Sequence, residues 1–125
     1  MYIDIFIKGI PYGQWKVKGD LTGPKIWTET IVINTRDFPK IKKPSMAHIV
    51  FILPAEKYPK DHPFGPDLDN LLKRLFDALN QTILSEAKGQ DGIIVEVIAT
   101  KHKAAQKEEA GVKLSIIEMT NYFGS

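Results

Sequence analysis

The chain contains no cysteine. Disulfides, thiolate metal sites and cysteine nucleophiles are thereby excluded, which suits a cytoplasmic protein. No apolar run approaches the roughly 20 residues that span a bilayer. No basic, apolar, small-residue leader opens the chain either. The expectation is a soluble, cytoplasmic protein with no membrane partner. Internal repeats and low-complexity segments are also missing. Neither sign of charge dominates, with 17 Lys and Arg against 15 Asp and Glu and a net charge of +2. Such a modest basic excess is compatible with nucleic acid and does not require it.

What is present suits one domain spanning residues 1–125, with an apolar fraction of 43% that is ordinary for a globular protein. The charge is unevenly spread. Residues 1–60 hold ten Lys and Arg against five Asp and Glu, whereas residues 61–125 hold seven against ten. The acidic half contains the stretch around which the chain is organised, Gly65 to Asn80, reading GPDLDNLLKRLFDALN. Leu68, Leu71, Leu72, Leu75, Phe76 and Leu79 follow the spacing of a helix that buries one face. The opposite face carries Asn70, Lys73, Arg74, Asp77 and Asn80.

Asp67 and Asp69 open that helix, and their use depends on where it starts. Both inside a helix, they would point roughly 160° apart and could not share a ligand. If the chain stays extended from Pro66 to Asp69, both carboxylates fall on one side, and Gly65-Pro66 favours that approach. Two converging carboxylates, with Lys73 one turn on, suggest a divalent metal site acting on phosphate. The competing reading is plain helix capping, for which Asp is well suited. A calcium EF-hand loop is excluded, because its glycine and glutamate positions hold Leu72 and Ala78.

The remaining elements follow from their patterns. Met1 to Ile10 alternates Ile3, Ile5 and Ile7 on one side against Tyr2, Asp4, Phe6 and Lys8 on the other, as a strand does. Pro11-Tyr12-Gly13 ends it, and Lys16 and Lys18 then flank Val17 beside Trp15. That basic segment is either a phosphate contact or a solvated edge. Thr22-Gly23-Pro24 marks a helix start, although the Thr, Ile and Val content of KIWTETIVINTR favours strand. Lys40, Lys42 and Lys43 cluster in the loop from Asp37 to Pro44, a phosphate-contacting patch or an exposed connector. Ala47 to Leu53 reads as a buried central strand in which His48 is a packed or edge residue. A proline-rich loop over 54–66 holds His62, an accessory acid or base at most. Asp91-Gly92 opens the apolar strand IIVEVIAT, with Asp91 either a third carboxylate or a turn residue. Lys101 to Gly111 reads as a charged hairpin loop, and Val112 to Met119 as a last strand antiparallel to the one before. The order is β-α-β-α-β-β, an α+β domain with helices packed on a mixed sheet.

With these residues in place, the sequence resembles the RusA-type Holliday junction resolvases. The likeness rests on DLDNLLK at 67–73, DAL at 77–79 and QDGIIVEV at 90–97, and it extends from about Gly65 to Lys101. It also favours helix over strand after Pro24. The resemblance implies a homodimeric endonuclease that requires Mg²⁺, with Mn²⁺ as a substitute, and cuts opposed strands of a four-way DNA junction. It assigns Asp67, Asp69 and Asp91 to the metal and Lys73 to the scissile phosphate. Asn70, Arg74 and the lysines 16, 18, 40, 42 and 43 would meet DNA. Gln90 stands where the family usually has an acid, and the loop before Asp91 is longer than usual; Glu86 and Glu96 are the available substitutes. Two other readings are a junction-binding protein with a degraded site and a nucleotide-sugar transferase built on DxD. The latter lacks room for a second nucleotide-binding layer.

Overall fold

The computed structural model describes residues 2–13, 22–54 and 66–119. Its six main elements are β1 (Tyr2–Lys8), α1 (Gly23–Thr35), β2 (Ser45–Leu53), α2 (Leu68–Leu79), β3 (Ile94–Lys103) and β4 (Gly111–Glu118). A short 3₁₀ turn, Gln90–Ile93, leads into β3, and another, Lys107–Glu109, leads into β4. The element order is therefore the one the sequence predicts.

The four strands form one mixed sheet in the order β1-β4-β2-β3. β4 runs antiparallel to both β1 and β2, and β3 runs parallel to β2. This corrects the expected terminal hairpin. β3 and β4 are consecutive in the chain but are separated in the sheet by β2. Nor is the expected charged loop over 101–111 all loop, because β3 runs on to Lys103. The central strand needs apolar residues that meet the core, and Val112, Leu114 and Ile116 supply them. β4 passes β1 so closely that a Cβ on Gly111 would collide with the Ile7 carbonyl oxygen.

One face of the sheet carries the core. Ile3 and Ile7, Ala47, Ile49, Phe51 and Leu53, and the three β4 residues meet Trp27 and Ile31 of α1 and Leu71, Leu75 and Leu79 of α2. Burial in α1 falls on Trp27, Ile31 and Thr35, a single i, i+4, i+8 stripe. Ile26 and Ile33 lie outside that stripe and are exposed, which is why its apolar spacing matches no clean period. Deep burial of apolar side chains, at about 1.5–3 kcal/mol each, is the main force holding the two layers together. The Thr35 and Thr82 hydroxyls, 2.7 Å apart and buried, join the end of α1 to the turn after α2.

Candidate functional site

Helix α2 begins at Leu68, with Asp67 at its N-cap in an extended conformation (φ −59°, ψ 146°). The extended run thus ends at Asp67 rather than continuing to Asp69, which lies inside the first turn. An N-cap aspartate ordinarily accepts from the amide of N2 or N3. Asp67 makes no such bond. The N3 amide, that of Asn70, donates instead to Asp69 Oδ1 at 3.0 Å. Both carboxylates are exposed at the positive end of the helix, and Lys73 is exposed one turn further on.

The ground under this first turn is held by two long cationic side chains. Arg74 donates from Nε to the Gly13 carbonyl at 2.6 Å and from Nη1 to Thr28 Oγ1 at 2.9 Å. A longer contact of 3.5 Å reaches the Pro24 carbonyl. These bonds tie α2 to α1 and to the end of the β1 loop, so Arg74, expected on a DNA face, has its guanidinium engaged within the fold. Gly13 is pressed against Asn70 and Pro66, since a Cβ there would meet their Cβ atoms at 3.1 and 3.2 Å. Lys101 donates to the Pro66 carbonyl at 3.1 Å from β3.

Lys101 borders the first turn of α2, although the sequence pattern places it in a loop. A signal was available. In a strand, Lys101 shares a face with Val97 and Ala99, and it pairs in register with the buried Phe51. A lysine at a core-facing position is a polar exception that requires a partner.

Asp91 lies elsewhere. β3 is parallel to β2, so the chain must return along α2 before β3 can start. Helix α2 has 12 residues, about 18 Å of length. Pro66 and Lys101 mark one end, whereas Gln90 reaches the Asn80 carbonyl at the other. Within one chain Asp91 is therefore at the far end of α2 from Asp67 and Asp69. Among the described residues no group of three His, Cys, Asp or Glu side chains could hold a metal ion. Glu86 pairs with Lys42 at 3.3 Å, and Glu96 lies in register with Met46 on the sheet face opposite the helices. Neither joins Asp67.

The basic loop sits at the Asp91 end. Lys40 donates to the Thr82 carbonyl at 2.8 Å and Ile41 N to the Ile83 carbonyl at 2.8 Å, which pins this loop beneath the turn after α2. Lys43 is exposed, as is His48 on the uncovered sheet face. Lys16, Lys18, Trp15 and His62 lie outside the described residues.

The profile of the endodeoxyribonuclease RusA family matches residues 26–117. The chain belongs to the RusA endodeoxyribonuclease family. No curated protein matches it. The matched span runs from the first turn of α1 almost to the end of β4 and so takes in Asp67, Asp69, Lys73, Asp91 and Lys101. Among the described residues, no helix of this RusA-family chain is long and apolar enough to cross a membrane.

Proposed function

We propose that this chain is a magnesium-dependent endodeoxyribonuclease that resolves four-way DNA junctions by paired, symmetric phosphodiester hydrolysis as a homodimer. The observation that carries the reading is the N-cap of α2. In a chain of this family, Asp67 is free of the capping bond and is exposed two residues before Asp69, at the positive end of the helix.

The separation of Asp91 favours a second copy at the site. β3 is an edge strand of the sheet, with Val95 and Val97 exposed along it. On the neighbouring flank of α2, Leu68, Leu72 and Phe76 are half-buried at i, i+4, i+8 spacing. A second copy joined antiparallel through β3 would cover both stripes, and a two-fold contact of this kind is self-complementary. It would reverse the second β3, bringing Asp91 of that copy to the end of the sheet where Asp67 and Asp69 of the first copy stand. Two such sites, related by the two-fold axis, suit opposed cuts in a two-fold junction.

The donor set fits Mg²⁺, which takes oxygen ligands from a few carboxylates and retains waters, and Mn²⁺ accepts the same donors. Bound there, such an ion would supply positive charge to the phosphoryl oxygens and lower the pKa of a water. Lys73 sets a further positive charge one turn past Asp69, where it would offset negative charge on the phosphoryl oxygens. Asn70, and the lysines 16, 18 and 43, would contact the DNA backbone; Lys40 and Lys42 would do so beside their present partners.

If the chain acts as a single copy, the distance from Asp91 to Asp67 favours a non-catalytic junction-binding protein instead. Purified protein with Mg²⁺ is expected to nick a synthetic four-way junction in opposed strands, while Asp67→Asn binds without cutting. A gel shift without cleavage in either Mg²⁺ or Mn²⁺ establishes the binding-only reading. Neither binding nor cutting at low salt would refute both.

A further inference from the structure

We propose that Lys101 is a positioning residue for Asp67: by holding the Pro66 carbonyl, its ammonium keeps the Asp67 carboxylate out of the helix cap and available to a divalent cation. The inference rests on the metal reading above and adds to it a residue outside the carboxylate set.

The Pro66 carbonyl and the Asp67 nitrogen belong to one rigid unit, so a bond to the oxygen restrains the plane that carries the nitrogen and Cα of Asp67. Lys101 Nζ makes that bond at 3.1 Å, from a strand that packs beneath α2. Its side chain is partly buried and starts beside Phe51 in the sheet register, so the ammonium reaches Pro66 from a rigid base. The ordinary resting place of an N-cap carboxylate is on the N3 amide. Here Asp69 Oδ1 occupies that amide, and Asp67 makes no cap bond at all. The backbone of Asp67 is that of an ordinary N-cap, so what sets it apart is its side chain: Lys101 restrains the peptide before it, and Asp69 takes the amide that its carboxylate would otherwise cap. Supporting residues of this type typically change metal affinity by about 10- to 100-fold when removed.

The test uses the full chain with Mn²⁺ as the probe. Lys101→Met retains the aliphatic stem and loses the donor, whereas Lys101→Arg and Lys101→Gln each retain one. Wild type is expected to bind Mn²⁺ by electron paramagnetic resonance titration, and Asp67→Asn to lose that binding. Lys101→Met should bind Mn²⁺ at least about tenfold more weakly and lose kcat on the junction. Its junction affinity in EDTA should stay within about twofold, and Lys101→Arg should recover most of the Mn²⁺ affinity. In an Asp67→Asn background, Lys101→Met should cause no further loss.

Wild-type Mn²⁺ binding that Lys101→Met leaves unchanged overturns this inference and spares the metal reading. Loss of junction affinity in EDTA with Mn²⁺ binding intact overturns it too, by making Lys101 a DNA contact. Absence of any Mn²⁺ site in wild type overturns both. Should Lys101→Met fail to fold, Lys101→Leu carries the comparison, with Mn²⁺ affinity at least about tenfold weaker expected and wild-type-like affinity as the overturning result.

Discussion

The two ends of α2 are both polar and both carry acids, yet they spend their charges differently. At the C-terminal end the polar groups are largely engaged with the protein itself. Lys40 is bound to Thr82, Lys42 to Glu86, and Gln90 reaches back to Asn80. At the N-terminal end the cations Arg74 and Lys101 bind backbone carbonyls, and the carboxylate of Asp67 is left without a cap bond. The first arrangement closes a turn. The second holds an acid in place while leaving it open to solvent, which is what a ligand site requires. Charge density alone would not tell these ends apart; the use of each hydrogen bond does.

The largest effect should come from joining the two ends across a dimer. Asp67→Asn and Asp91→Asn, each inactive alone by at least about a hundredfold given the charge stabilisation a metal supplies, are expected to regain single-strand nicking when mixed. One of the two shared sites is then whole. If each site lay within one chain, no mixture would recover activity. Val97→Lys on the β3 edge should abolish both the dimer, measured by sedimentation, and this complementation.

A second comparison removes the clamp rather than the acid. Arg74→Met deletes bonds to Gly13 and Thr28, at about 1.5–3 kcal/mol for each hydrogen bond made by a charged group. Thermal denaturation should show a clear loss of stability, with the salt dependence of junction binding unchanged. A flatter salt slope would instead return Arg74 to the DNA interface. The smallest effect is expected at the opposite end, where Lys42→Ala breaks an exposed ion pair worth about 0–1 kcal/mol. Its melting temperature should hardly move, and any change in junction affinity should be equal across sequences.

Much of this arrangement could be read from the residues, and what could not has specific causes. The α2 stripe was plain, because Leu71, Leu75 and Leu79 are spaced for one buried face and no proline or glycine interrupts them. The helical nature of α1 was obscured by Ile26 and Ile33, apolar residues that point to solvent. β4 read as the partner of β3 because a short charged link favours a local hairpin, but its apolar face is shared between β1 and β2. Pairing partners are a property of the whole sheet, which no local pattern encodes. The remoteness of Asp91, by contrast, was implicit in the helix length, since about 18 Å of α2 separates its two ends.

The place of β4 in the sheet also bears on how the molecule is made. Tyr2 pairs with Ile117, so β1 has no lateral neighbour until β4 has been synthesised. Such distant pairing slows closure of the sheet. Until β4 arrives, β1 is an unattached ribbon with Ile3 and Ile7 unprotected, and nascent chains of this protein should depend on holding factors more than a helical bundle of equal length would.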